Sequence, residues 1–286
     1  MPVRFAYHPG NVGRESCAEV EDTIVPLANT LGIELIDIQG GSSDGADIIK
    51  QGNKTLQLAL NARNIAIAQE SECDIMTCCA TSQGVMSDTI RTLDSDEITR
   101  SQINRALQEI SGIEYETGAQ TKHLIHVLVE DIGLDKVSEK VLNPLGLKVA
   151  CYYGPNMQKD GACSSDNPFD PTYMENLVNA LGGTAVEHDL RCSSIGTPGL
   201  LINQDTAMRM TAAVLAEAKS SGAQVLMTAC TLSHSLLDSY QMKAGKVSGK
   251  NTKIPIVHVS ELVAFALGHY LERFSQLKTR AKLIGS

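Results

Sequence analysis

Two cysteines stand at matched places in a phrase that the chain uses twice. Met76-Thr77-Cys78-Cys79-Ala80-Thr81-Ser82 is followed 151 residues later by Met227-Thr228-Ala229-Cys230-Thr231-Leu232-Ser233. The shared pattern is Met-Thr-x-Cys-x-x-Ser, and a short apolar run precedes each copy. Thiolates attack disulfides and bind soft metals. Cys192 offers a third thiol, and His234 falls four residues after Cys230, on the same side if a helix begins there. Two chemistries follow from these residue types. Cys192, Cys230 and His234 could hold one metal, zinc or an iron–sulfur cluster, with Cys151 or Cys163 as a fourth ligand and Cys79 as the first half's candidate. Alternatively, Cys192 and Cys230 form a redox dithiol activated by His234 or by a helix amino end. The reading preferred over both is a packed site whose serines and asparagines hydrogen-bond the loops. Neutral hydroxyl and amide oxygens hold a cluster poorly.

Other constellations carry less. The Gly40–Gly45 loop has neither the GxGxxG spacing nor a following Gly-Lys-Ser/Thr, so it does not read as a phosphate cradle. His123 and His126 are three apart without a third ligand and read as core or helix surface. In Glu187-His188-Asp189, strand alternation sends the histidine to one face and both carboxylates to the other.

The chain that must position these groups has 286 residues, enough for one or two domains and a sizeable core. Aromatic residues make up 4%, there is no Trp, and the formal charge is −9, so stacking platforms and phosphate-neutralising surfaces are not expected. No secretory leader and no eighteen-residue apolar run are visible, which argues for a cytoplasmic protein without a membrane span. In that compartment the eight cysteines are expected as thiols.

Short apolar runs alternate with amphipathic stretches. Strands are expected at Val3–Tyr7, Ile33–Ile38, 74–77, Leu147–Tyr152, Thr184–Glu187, 224–228 and Ile254–His258. Helices are expected across Val20–Leu31, Thr55–Ala68, Tyr173–Leu181, 203–219 and Ser260–Phe274, with a helix start at Leu236–Met242. Residues 95–140 read as mostly helical, and Lys243–Lys253 as a solvated loop. Pro144 and Gly146 break the pattern and separate two halves, 1–145 and 146–286. The order predicts an α/β fold: two pseudo-repeated domains with mainly parallel sheets and helices on their faces. Loops at the carboxyl ends of parallel strands converge on a crevice. Here they would bring together Asn11, Ser43 and Cys79 from one half and Pro155, Cys192 and Cys230 from the other, as active-site-like loops between the halves.

The framework resembles the B subunit of heterodisulfide reductase, whose two halves each carry a cysteine-rich CCG domain. The likeness runs over residues 3–245 and includes Leu31-Gly32-Ile33-Glu34-Leu35, Asn61-Ala62-Arg63-Asn64, Asp74-Ile75-Met76-Thr77, Tyr152-Tyr153-Gly154 and Leu237-Asp238-Ser239-Tyr240-Gln241. Related proteins occur in sulfur-oxidising complexes and as subunits of some succinate or thiol:fumarate reductases. Each half of the family pattern reads Cys, then Cys-Cys, then Cys-x-x-Cys, and these thiolates bind noncubane four-iron clusters that reduce a disulfide. Position by position, Asn11 stands for the first cysteine, Ser43 and Asp44 for the pair, Cys79 is kept, and Ser82 replaces the last. In the second half Pro155 replaces the first, Cys192 is kept beside Ser193, Cys230 is kept, and Ser233 replaces the last. His234 matches a family histidine. Three of ten motif cysteines survive, so the resemblance implies a subunit without the cluster pair and with no cofactor. Its partners would be other subunits of a redox complex handling sulfur or thiol compounds, an iron–sulfur electron-transfer subunit among them. The alternatives are a thiol/disulfide oxidoreductase using Cys192 and Cys230 or one retained metal, and a small-molecule binder using the vacated crevice.

Overall fold

Residues along each central strand alternate between two apolar environments. In β1 (Val3–His8) Phe5 and Tyr7 enter one core and Ala6 another; in β5 (Lys148–Tyr152) Val149 and Cys151 enter the same core as Phe5, while Ala150 and Tyr152 point away. Strands buried on both faces suit a parallel sheet covered by helices on each side. The computed structural model, which describes residues 3–14 and 16–269, contains two such sheets. The first joins β1, β2 (Ile33–Asp37), β3 (Ile75–Thr77) and β4 (Thr121–His123) in the order β2-β1-β3-β4. The second repeats it with β5, β6 (Thr184–Val186), β7 (Val225–Thr228) and β8 (Ile256–His258) as β6-β5-β7-β8. All six pairings are parallel. This is an α/β fold with two parallel sheets and flanking helices, consistent with two pseudo-repeated domains.

Parallel neighbours need long crossovers, and helices supply them. The first half uses α1 (Ala18–Leu31), α2 (Lys54–Glu70), α3 (Ala80–Ser95) and α4 (Glu97–Ser111). After β4 come α5 (Leu124–His126), a π-helical turn over Val127–Gly133 and α6 (Leu134–Glu139). The second half has α7 (Tyr173–Ala180), α8 (Gln204–Ser220), α9 (Thr231–Ser239), α10 (Gln241–Ser248) and α11 (Val259–Ala266). Equivalent helices start alike: Asn53 caps α2 by accepting from the Leu56 amide, and Asn203 caps α8 by accepting from the Thr206 amide.

The inner faces of both sheets share one core, so the halves are not separately filled. Val20, Ile24 and Leu27 of α1 lie in it with Leu262 and Val263 of α11 and Leu177 and Val178 of α7. Helix α11 packs on α1, where the Thr23 hydroxyl donates to Ser260 Oγ at 2.8 Å.

Three elements depart from the expectations. Helix α3 begins within the first repeated phrase, after Cys79, over a stretch whose Gly84, serines and threonines blur its apolar period. Strand β4 interrupts the expected helical region; it has three residues, with Lys122 between Thr121 and His123, too short for alternation to show. Helix α10 occupies part of the expected loop, its Gly245 set close against Thr252 and the Lys250 carbonyl. The final helix ends at Ala266, with Leu267 as its C-cap, so the expected helix to Phe274 is cut short; the part of that span beyond residue 269 lies outside the described residues.

Candidate functional site

The repeated phrase builds one local structure twice. Its methionine points into the shared core. Its threonine hydroxyl accepts the cysteine amide, Cys79 N to Thr77 and Cys230 N to Thr228, both at 3.2 Å. Its cysteine becomes the N-cap of the next helix, α3 or α9, and its serine falls in the first turn. The two copies face each other. Cys79 Sγ and Cys230 Sγ are 3.7 Å apart and both are buried. The Ala80 amide crosses to the Ala229 carbonyl at 3.0 Å. Gly10 makes room for the contact: its φ is +84°, and a Cβ there would lie 2.7 Å from Cys79 Cβ and 3.0 Å from Thr231 Oγ1.

Two histidines fasten the copies crosswise. His123 ends β4 and His258 ends β8. Each accepts a backbone amide on Nδ1, from Ile125 and from Ser260, and thereby caps the following helix. Each therefore carries its proton on Nε2, which donates into the other half: His123 to the Ala229 carbonyl at 2.8 Å, His258 to the Cys78 carbonyl at 2.9 Å. Ala229 and Cys78 are the same position of the phrase. Burial holds both imidazoles neutral, with the His123 pKa lowered to about 4.

The first-half ligand positions are tied to one another. The buried Asp44 carboxylate accepts from Asn11 Nδ2 at 2.6 Å, from the Ala46 amide at 2.7 Å and from Ser82 Oγ. Ser43 Oγ donates to Asn11 Oδ1. Four positions that would carry thiolates thus form a closed hydrogen-bond knot around one carboxylate. In the second half, Pro155 opens a short 3-10 turn, Pro155–Gln158. The Ser193 carbonyl accepts the Tyr152 hydroxyl at 2.8 Å. Pro155 and Ser233 line a cavity of about 240 Å³ with Thr81, Tyr152, Asn156 and Lys159.

The sulfur next to Cys230 is that of Cys79. Cys192 is half-buried in its loop, where burial raises its pKa to about 11. His234 turns toward α1 and α11, with Nε2 3.0 Å from Glu19 Oε1 and 3.9 Å from Glu261 Oε2. Cys151 is buried, and Cys163 is half-buried in the loop after the 3-10 turn. His126 packs edge-on to Tyr173, and His188 bridges Glu217 and the Cys151 carbonyl. Within the Cys79–Cys230 pair the hydrogen bond between the sulfurs raises the Cys79 pKa and lowers that of Cys230, with Thr81 and Ser233 also favouring the Cys230 thiolate.

A family model described as a cysteine-rich CCG domain matches residues 5–87. The chain is 30% identical over 270 residues to the 8-methylmenaquinol:fumarate reductase membrane anchor subunit of Wolinella succinogenes, covering 94% of this chain and 93% of that one. It is 29% identical over 242 residues to the B subunit of the ferredoxin/F(420)H(2)-dependent CoB-CoM heterodisulfide reductase of Methanosarcina acetivorans, covering 83% and 80%. The chain belongs to the CCG-domain family of proteins like the heterodisulfide reductase B subunit. A crystal structure of a hypothetical protein from Helicobacter pylori shares the fold, with a TM-score of 0.74 at 15% identity; it covers 99% of this chain, which spans 51% of that one.

Within this family the chain is a divergent member. Iron–sulfur clusters are held by cysteine thiolates, and here four of the first half's five ligand positions are Asn, Ser, Asp and Ser already bonded to each other, with Cys79 alone kept. Among the described residues no group of three or more His, Cys, Asp or Glu could hold a metal ion. The residues present do not fit the family's cluster pair.

Proposed function

We propose that the chain is a cluster-free relative of the heterodisulfide reductase B subunit, a component of a cytoplasmic redox complex acting on sulfur or thiol compounds, and that it docks partners rather than carrying electrons itself. The Asp44 knot carries this reading, because it ties four of the five ligand positions of one half into a self-satisfied hydrogen-bond network. In this reading the halves 1–145 and 146–286 are the two ancestral CCG-like domains, and the loops between them keep the shape of an active site without its cofactor. The relatives from Wolinella succinogenes and Methanosarcina acetivorans are both subunits, which supports a place in an assembly; the partner we propose is an iron–sulfur electron-transfer subunit. Among the described residues no helix is long and apolar enough to cross a membrane.

The loop beside the cavity supplies a docking feature. Thr197 and Pro198 line the cavity, and next along the chain Leu201 and Ile202 are 96% and 89% exposed. Adjacent apolar side chains this open are suited to burial against another protein. Anaerobic affinity purification of the full chain from its native cells is expected to recover an iron–sulfur subunit, and Leu201→Asp with Ile202→Asp is expected to release it at unchanged melting temperature. A chain that elutes alone after gentle lysis contradicts the docking role. The second reading, thiol/disulfide chemistry at Cys192 and Cys230, has less support, because the sulfur found beside Cys230 is that of Cys79, 3.7 Å away.

A further inference from the structure

The Cys79–Cys230 contact joins two features that the docking reading leaves unused. One is the 3.7 Å separation of two buried thiol sulfurs on opposite halves. The other is their route to solvent. Thr81 Oγ1 lies 3.2 Å from Cys230 Sγ, and both Thr81 and Ser233 belong to the wall of the 240 Å³ cavity. Cys230 is therefore one side chain behind a cavity wall, while its own surface is only 2% exposed and that of Cys79 is 0%.

We propose that Cys79 and Cys230 form a peroxide-sensitive dithiol that closes into a disulfide between the two halves. The inference is independent of the docking reading. Cys230 is the attacking sulfur and Cys79 the resolving one. The Cys230 thiolate attacks one oxygen of hydrogen peroxide, the O–O bond breaks, and an S–O bond forms. The departing hydroxide takes the proton that Cys230 lost and leaves as water. Cys79 then gives up its proton as its sulfur attacks the Cys230 sulfenic acid. The S–O bond breaks, the S–S bond forms, and the second hydroxide leaves with that proton as water. Two thiols lose two electrons, and one peroxide becomes two waters. Bond formation has to close the sulfurs from 3.7 Å to the bonded distance of about 2 Å.

Burial selects the oxidant. Hydrogen peroxide, little larger than water, has only the Thr81 and Ser233 side chains between the cavity and Cys230 to pass, whereas a tripeptide disulfide must bring its own sulfur into contact with Cys230. The proton asymmetry of the pair agrees with the assigned roles, the low-pKa thiol attacking and the high-pKa thiol resolving. Cys17 donates instead to the Thr231 carbonyl at 3.2 Å, and the described sulfur–sulfur contact is the one between Cys79 and Cys230.

The test treats the reduced full chain with a few equivalents of hydrogen peroxide, counts free thiols and maps peptides without reduction. Two of the eight thiols are expected to disappear, with the Cys79 and Cys230 peptides recovered as one linked pair and released by dithiothreitol. Cys79→Ser should abolish the link and leave Cys230 as a sulfenic acid trappable by dimedone; Cys73→Ser should leave the yield of the link unchanged. The proposal is overturned if Cys79 and Cys230 remain reduced while Cys163 or Cys192 oxidises, or if Cys230 reaches the sulfinic acid without linking. An equal rate with glutathione disulfide at the same concentration overturns the assignment of peroxide as oxidant. The peptide map of the unmodified chain decides the matter even if a variant fails to fold.

Discussion

Asp44 is the residue on which the first-half site turns. It is fully buried, and three donors converge on its carboxylate from a loop, a helix and a backbone amide. Removing the acceptor leaves those donors without a partner in a dry environment, which costs more than the hydrogen bonds themselves contributed. Asp44→Ala is expected to destabilise the chain by about 3 kcal/mol in urea unfolding; a loss below about 1 kcal/mol would mean that water replaces the carboxylate. The histidines act at the same scale. His123 is held to about 4 and His126 to about 3, chiefly by burial, whereas both return to about 6.5 when the chain unfolds. Between those values the unfolded chain binds more protons, so stability falls as pH drops from about 6.5 toward 4 and is unaffected by these groups above it. Each such histidine contributes a slope of about 1.4 kcal/mol per pH unit. His126→Gln should flatten the slope measured by urea unfolding at pH 7, 6 and 5, and an unchanged slope would contradict neutral burial. Matched cysteines and the Asn11, Ser43, Asp44 and Ser82 positions could be picked out in the chain. That Asp44 gathers the others could not, because the contact is made across loops about thirty residues apart. The crosswise histidines left a trace that only the fold explains: each ends the last strand of its sheet, at Thr121-Lys122-His123 and Ile256-Val257-His258.

At the scale of elements, α3 carries the interface between halves. Gly84 sits in its second turn, where an added Cβ would lie 2.8 Å from the Asn156 carbonyl and 3.1 Å from Lys159 Cδ. The lysine can move, but the backbone carbonyl cannot move far without shifting the 3-10 turn that begins at Pro155. Gly84→Ala trades a small gain in helix propensity for that overlap and is expected to destabilise by about 2 kcal/mol, with the melting temperature as readout. A stabilised variant would show that the turn yields freely. The central strands and α1, α2, α7 and α8 were readable from apolar runs and three-to-four-residue spacing. Helix α3 was not, because a helix packed through glycine and small polar residues lacks a clear apolar stripe. Strand β4 was not, because three residues are too few for a period, and its pairing with β3 is a property of the sheet.

The whole molecule behaves as two sheets around one shared core, crossed by α1, α7 and α11. Neither half has a complete inner face alone, so calorimetry is expected to show one cooperative transition, with calorimetric and van't Hoff enthalpies agreeing. Two separated transitions would mean that the halves are energetically independent. The same architecture bears on function: strand order and crossovers bring the carboxyl-end loops of both sheets together, while the residues on those loops decide what they can hold. Here they hold each other. Iron and acid-labile sulfide analysis with a visible spectrum, on the full chain purified without oxygen, tests that claim most directly. The account predicts neither iron nor sulfide in stoichiometric amount and no charge-transfer absorbance; a bound iron–sulfur cluster at one or more per chain would contradict it.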